Sequence, residues 1–356
     1  MTVDLLSVSP EAAQAALGEW LGARGEPGYR VRQLLPRLWQ RPVARWADAT
    51  ELPAPLRTAL DESFPFVRPV LTARQRSQDG TEKFLWTLAD GEAIESVLIP
   101  EGKRRTLCVS SQAGCALGCV FCATGRMGFR RNLSAAEIAA QVREIVLLDP
   151  ALTPSNVVYM GMGEPLLNWE AVDATLTILN HPAGFGIGAR HITVSTVGIL
   201  PNLAKFARRP EQFRLAVSLH APTPTLRREL MPIEKKYALP DLLSALKEFR
   251  RRVTLEYVLI GGKNDSLEAA DALAKVASPL AALVNLLPLH PGGAPDLAPS
   301  PRAQMLAFER RLRSRGVEAV LRRSRGLDIS AACGQLRVEV LARRRKVGAQ
   351  EHAGVE

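Results

Sequence analysis

Three of the chain's five cysteines stand together in Cys115-Ala-Leu-Gly-Cys119-Val-Phe-Cys122. A CxxxCxxC loop can offer three thiolates to three irons of a 4Fe-4S cube and leave the fourth iron without a protein ligand. An open iron can chelate the amino and carboxylate groups of S-adenosylmethionine (SAM), placing its sulfonium for one-electron cleavage to a 5′-deoxyadenosyl radical. Phe121, just ahead of the last cysteine, would cover that cofactor. A zinc site or chance clustering is the competing reading. Closed structural zinc sites take four ligands, often as paired short cysteine spacings, and the sequence has no second pair.

Other residues could serve the same site. Cys108 and Cys333 are surplus to the cluster and fall in or near predicted strands or strand ends, where a thiol is equally at home as a small buried apolar group. Glu95, in Ile94-Glu-Ser-Val-Leu-Ile-Pro100, is by itself a carboxylate in a strand. Gly161-Met-Gly163-Glu164-Pro165 follows an apolar run; its glycines would let backbone approach the methionyl part of SAM while Glu164 meets the ammonium, unless this is an ordinary βα turn. Ser218 and His220 end another apolar run and read equally as satisfied core polar groups.

The elements that must position these residues follow from periodicity. Residues 1–65 read as helical, with helical spacing over 12–21 and 31–39, broken at Gly25-Glu-Pro-Gly and Arg41-Pro. Residues 70–100 read as strands, with turns at Asp79-Gly80 and Asp90-Gly91. Beyond Lys103, strands are predicted over 106–110, 156–160, 191–195, 213–220, 253–260 and 282–289, and helices near 135–148, 168–179, 240–252 and 301–315. The expected fold is α/β: a partial (β/α)6 barrel with a small N-terminal helical domain and a β-meander linker, active where its strands end. The expected divisions are 1–68 (helical accessory domain), 69–100 (meander), 101–340 (barrel) and 341–356 (basic tail).

Bulk properties restrict the function classes. A chain of 356 residues buries a sizeable core without disulfides, and clustered cysteines suit metal or redox chemistry in a reducing compartment. No apolar run approaches the roughly 20 residues of a membrane span, and Met1-Thr-Val-Asp-Leu-Leu lacks the features of a secretory signal, so no membrane partner and a cytoplasmic location are expected. The net charge of +10, concentrated toward the C-terminal end, fits a polyanionic partner or a solvated charged surface.

The CxxxCxxC loop resembles that of the radical SAM superfamily, and its setting, Thr106-Leu-Cys-Val-Ser-Ser-Gln-Ala-Gly-Cys115, resembles the RlmN subfamily of RNA adenine-C2 methyltransferases. So do Ile94–Pro100 as quoted, Tyr159-Met-Gly-Met-Gly-Glu-Pro165, Ser195-Thr-Val-Gly198, Val217-Ser-Leu-His220 and Asp328-Ile-Ser-Ala-Ala-Cys-Gly-Gln-Leu336, in one order over nearly the whole chain. The resemblance implies a [4Fe-4S] cluster on Cys115, Cys119 and Cys122, and SAM contacts at Gly163, Glu164, Ser195, Ser218, Leu219, His220 and His290, the last at a position where many relatives carry asparagine.

It also implies a reaction. Cys333 takes a methyl group from one SAM as a thiolate, a radical made from a second SAM removes hydrogen from that methyl, and the resulting methylene adds to adenine C2. Glu95 is then the base for the C2 proton, and Cys108 forms a disulfide with Cys333 to free the product. The implied targets are adenine 2503 of 23S rRNA and adenine 37 of tRNAs. The implied electron source is external and flavodoxin-like. A sister enzyme methylating C8, and a cluster-bearing RNA-binding assembly factor without turnover, are the alternatives. Lys103-Arg104-Arg105, Arg126, Arg130-Arg131, Arg322-Arg323 and Arg325 would flank the active-site mouth and contact phosphates, and Arg343-Arg-Arg-Lys346 reads as a charged helix end.

Overall fold

The computed structural model describes residues 3–290, 294, 296–332 and 334–336. The N-terminal stretch is helical, with α1 (Pro10–Gly22) capped by the Ser9 hydroxyl, α2 (Arg30–Leu34) and α3 (Ala54–Ser63). α2 is shorter than its spacing predicts, because Pro36 lacks the N–H that would continue the ladder and the chain tightens into a 3-10 turn at Leu35–Arg37.

Three antiparallel strands follow, β1 (Val70–Arg76), β2 (Glu82–Thr87) and β3 (Ala93–Glu101). Gly80 and Gly91 close the intervening turns at φ +83° and +84°, a region that disfavours side chains. β4 (Arg104–Cys108) pairs antiparallel with β3 and parallel with β7 (Asn156–Tyr159), so the meander continues the barrel sheet. Between them a short hairpin, β5 (Gln112–Gly114) with β6 (Phe129–Asn132), brackets helix α4 (Ala123–Met127).

The remaining strands, β8 (Ile192–Thr196), β9 (Arg214–Ser218), β10 (Thr254–Leu259), β11 (Leu283–Pro288) and β12 (Ala319–Leu321), add in parallel. They alternate with α5 (Ala135–Leu148), α6 (Trp169–Asn180), α7 (Leu200–Ala207), α8 (Pro224–Leu230), α9 (Leu239–Lys247), α10 (Leu267–Ala277) and α11 (Arg302–Ser314). The six expected parallel strands are present, and β12, three residues long, is a seventh among the described residues. β1 and β12 are the two edges of the sheet, so the barrel is partial.

Register decides which side chains face inward. Residues opposite one another share a sheet face, as do residues two apart on a strand. Following the pairs Leu85↔Glu95, Val97↔Cys108, Cys108↔Val158, Val158↔Thr193, Ser195↔Ala216, Ser218↔Glu256 and Glu256↔Asn285 places Lys83, Glu95, Cys108, Ser195, Ser218, Glu256 and Asn285 on one face.

The helical module has its own core, with Leu17, Leu38, Trp39 and Trp46, which closes onto Ala136 and Ala139 of α5 and Ile178 of α6. Arg143 of α5 is 1% exposed; its guanidinium donates to the carbonyls of Leu38 and Val43 and lies 4.4 Å from the Phe66 ring centre. Arg68 pairs with the adjoining Glu144. Replacing Arg143 by alanine leaves two buried carbonyls without donors and opens space under the module. Arg143→Ala should therefore cost about 3 kcal/mol, read as a lower urea midpoint by the fluorescence of Trp20, Trp39 and Trp46.

Candidate active site

The cysteine loop begins where β5 ends. Gly114 takes φ +75°, and a Cβ there would meet the Gly128 carbonyl at 1.9 Å, so only glycine lets the hairpin close beneath Cys115. Cys115, Cys119 and Cys122 share one cavity with Gly163 and Glu164 after β7, Ser195 of β8, Ser218 of β9, His220, and His290 after β11. The cavity lies where the parallel strands end. Leu219 does not line it: its side chain is fully buried in the core, and its N–H donates to the Glu256 carbonyl. Cys333 lies outside the described residues, as does the 343–346 basic run; Gly334 and Leu336 line the cavity.

The donor set fits a cubane. Among the described residues no three metal-ligating side chains stand close enough to share one ion, as zinc would require; a cubane makes no such demand, because each thiolate has its own iron. Burial pushes the Cys115 thiol up to about 12 and Cys119 higher still, so both wait as neutral thiols for a cation that would deprotonate them.

The cavity wall after β7 is built against the segment that leads from β4 into β5. A Cβ on Gly161 would come within 2.7 Å of Ser110 Oγ and the Val109 carbonyl, and one on Gly163 within 2.6 Å of Gln112 Cβ. These glycines thus serve close packing of protein on protein, in addition to bordering the cavity. The Glu164 carboxylate accepts from Thr196 Oγ1 at 2.6 Å and from the N–H groups of Leu166 and Val197 at 3.0 Å, and burial raises it to about 7. Three protein donors leave it one remaining lone-pair direction for a cationic ligand.

His220 sits at φ +57° with Nδ1 accepting from the Val258 N–H, which leaves the ring proton on Nε2; burial lowers the imidazole to about 3, so it stays neutral. Phe121 packs edge-on against it at 4.6 Å. His290 Nε2 bonds to Ser324 Oγ at 2.6 Å, and burial lowers this imidazole too.

Two residues of the site escaped the sequence reading. Glu256 lines the cavity from β10, accepts from Asn285 Nδ2 at 2.9 Å and is raised by burial to about 7. An acidic residue inside Leu255-Glu-Tyr-Val-Leu259 was the available signal. Ser324, holding His290, had none.

Glu95 and Cys108 do not border this cavity but lie on the same sheet face, both buried. The Glu95 N–H donates to Met162 Sδ, its carbonyl accepts from Ser110 Oγ, and its carboxylate is 3.2 Å from Lys83 Nζ.

The basic residues divide. Arg126, Arg130, Arg322 and Arg323 are exposed on the side of the cysteine loop and the strand ends. Lys103-Arg104-Arg105 do not flank the mouth, contrary to expectation: Lys103 closes the β3–β4 turn, Arg104 and Arg105 begin β4, and the strand carries its opposite end to the cavity. Arg131 is held by Asp90 and Glu137 in a network that raises its pKa, which commits it to the fold.

Comparison with known proteins converges on the same chemistry. The radical SAM superfamily model matches residues 109–275. A crystal structure of a radical SAM methyltransferase from Sphaerobacter thermophilus superposes with a TM-score of 0.87 at 42% identity, covering 94% of this chain and 99% of that one. A "Probable dual-specificity RNA methyltransferase RlmN" of Gemmatimonas aurantiaca is 58% identical over 357 residues, 100% of this chain and 99% of its own. This chain belongs to the RlmN family. A like-named relative in Geobacillus kaustophilus is 46% identical over 91% of the chain and 90% of its own length. Membership makes the chain a SAM-dependent methyltransferase and removes the non-catalytic assembly-factor reading. The family implies a 4Fe-4S cluster and SAM, and among the described residues no helix is long and apolar enough to cross a membrane.

A carboxyl raised by burial holds a proton that the unfolded chain releases, so its stabilising effect is complete below about 4.5 and is lost as the pH rises to about 7. Glutamine carries no such proton. Buried His220 and His290, whose imidazoles are lowered, act in the opposite sense over this range, so the effect is read as a difference from the parent: Glu256→Gln should make the change in the apoprotein's urea midpoint from pH 5 to pH 7 more positive than the parent's, and an unchanged slope would mean Glu256 is already ionised.

Proposed function

We propose that this chain methylates C2 of adenine in RNA, at adenine 2503 of 23S rRNA and adenine 37 of tRNAs. The observation carrying the proposal is the sheet register: it puts Glu95 and Cys108 on the barrel face that also bears the cofactor cavity, so the base and the resolving thiol share an interior with the three cysteines. Cys115, Cys119 and Cys122 would hold a [4Fe-4S] cluster. Gly163, Glu164, Ser195, Ser218, His220 and His290 would hold SAM. The cluster, when bound, supplies the electron that cleaves SAM.

Adenine C2 has no acidic proton, so direct polar transfer is closed to it and this chain's thiols carry the methyl instead. The Cys333 thiolate displaces the methyl from SAM, forming a C–S bond as the methyl–sulfonium bond breaks. After that methyl gives up a hydrogen atom to the 5′-deoxyadenosyl radical, its carbon bonds to C2 and joins RNA to Cys333, leaving an unpaired electron on the adenine ring. The ring regains its aromaticity by losing that electron, taken back by the cluster that Cys115, Cys119 and Cys122 would hold, and the C2 proton, which the Glu95 carboxylate accepts. The Cys108 thiolate then attacks the Cys333 sulfur, forming the disulfide as the C–S bond breaks; the released methylene carbon takes up a proton to become the C2 methyl, and an external, flavodoxin-like electron donor restores both thiols.

RNA would approach from the strand ends, with Arg126, Arg130, Arg322, Arg323 and Arg325 on its phosphates. Phe129, 44% exposed beside Arg130, could stack on an unpaired base. Residues 1–68 would grip RNA, 69–100 carry the base, 101–340 hold the cofactors, and 341–356 form a basic tail.

The test is anaerobic reconstitution with SAM, a reductant and a 23S rRNA fragment, followed by nucleoside mass spectrometry. 2-Methyladenosine should form, and should be lost with Cys333→Ala; 8-methyladenosine would assign the chain to the C8 sister enzymes instead. Cys119→Ala should lose the cluster's visible absorbance along with the activity.

A further inference from the structure

Lys83 is a charged residue near the start of β2, just ahead of the apolar run Phe84-Leu85-Trp86, and its side chain is only 10% exposed. Lysine is rarely buried unless paired, because removing an ammonium from water is costly. Its partner is Glu95, 3.2 Å away and 5% exposed. The β2–β3 register makes the two diagonal neighbours on one face, Lys83 opposite Val97 and Glu95 opposite Leu85, and Val97 in turn lies opposite Cys108. The neighbouring Glu82 points to the other face, where Arg74 holds it. Lys83 Nζ also donates to the Ser330 carbonyl at 3.5 Å. Ser330 belongs to a loop pinned at one end by Gly326 to Asp79 and at the other by Gly334 to Ala123, the loop whose sequence contains Cys333.

We infer that Lys83 is a positioning residue for the release of RNA: its ammonium keeps the buried Glu95 carboxylate ionised and aimed across the Cys108 face, and ties it to the C-terminal loop. A carboxylate buried without a counter-charge tends to take up a proton, and a protonated Glu95 cannot accept the adenine C2 proton. The inference rests on the proposed role of Glu95 as that base. It differs from a general structural role in predicting which step fails: Cys333 methylation and RNA attachment precede the use of Glu95, and detachment follows it.

The experiment compares the reconstituted full chain with Lys83→Met, Lys83→Arg and Glu95→Gln, each given SAM, reductant and a 23S rRNA fragment. Peptide mass spectrometry reads methylation of Cys333, and a denaturing gel reads covalent protein–RNA adduct. Lys83→Met should methylate Cys333 as the parent does yet accumulate adduct on the order of tenfold or more over it, a loss within the range that a positioned base contributes. Lys83→Arg, which keeps the cation, should release RNA. Should Lys83→Met lose its cooperative melting transition, Lys83→Gln, which keeps a donor without the charge, makes the same comparison. If Glu95→Gln accumulates adduct while the uncharged Lys83 variant releases RNA at the parent rate, the inference is overturned and Glu95 remains the base. If neither accumulates adduct although Cys333 is methylated, the reading of Glu95 fails and the inference with it.

Discussion

The antiparallel pairing that sets Val97 opposite Cys108 determines which groups can meet inside this barrel. Side chains alternate along a strand, so a slip of one residue between β3 and β4 would turn Glu95 and Lys83 to the outer face while leaving Cys108 inside. The meander is therefore part of the catalytic sheet: it adds a carboxylate and an ammonium to an interior that the (β/α) repeats furnish with hydroxyls, imidazoles and thiols.

That register is held by polar groups where β4 ends. Ser110 donates its hydroxyl to the Glu95 carbonyl and accepts from the Met162 N–H, while the Gln141 amide of α5 pairs with both the N–H and the carbonyl of Ser110. All are buried, and a buried amide or hydroxyl without a partner is penalised, so β3, β4, the loop after β7 and α5 are locked to one another. Gly161 is the geometric condition of this lock, because the space of its absent Cβ is occupied by Val109 and Ser110, just past the end of β4. From there the chain reaches the C-terminal loop, which Asp79 and Ser77 of the β1–β2 turn anchor through Gly326 and Asp328, and which Thr124 of α4 anchors through the Leu336 carbonyl. Cysteine loop, meander and C-terminal loop thus form one connected rim.

Much of this was legible from the residues alone. The cysteine spacing, the Asp-Gly turns and the six long parallel strands carry strong local signals, and α5 runs over the predicted 135–148 because the Ser134–Glu137 capping box marks its start. β12 is too short for periodicity to reveal, and α7 and α8 are too short, with proline in their first turns, to stand out from loops. Lys83 and Glu256 are ambiguous for a different reason: a charged residue in a strand reads as facing solvent even where, as at Glu256, its neighbours are apolar, and only the pairing of distant strands turns that face inward. Lys103–Arg105 precede the cysteine loop closely along the chain but not in space, since a strand separates its ends by about 3.3 Å per residue. Gly161 and Gly163 were expected to make room for a ligand, and they also make room for the protein.

The central claim is that the methyl group reaches adenine through a protein thiol and loses a hydrogen on the way. It is tested most directly with SAM carrying a fully deuterated methyl group and mass spectrometry of the methylated adenosine. The account predicts a product methyl that retains two of the three deuteriums, the third appearing in 5′-deoxyadenosine, because the carbon passes through a methylene bound to Cys333. A product that keeps all three deuteriums would mean intact transfer from SAM to the base and would contradict it.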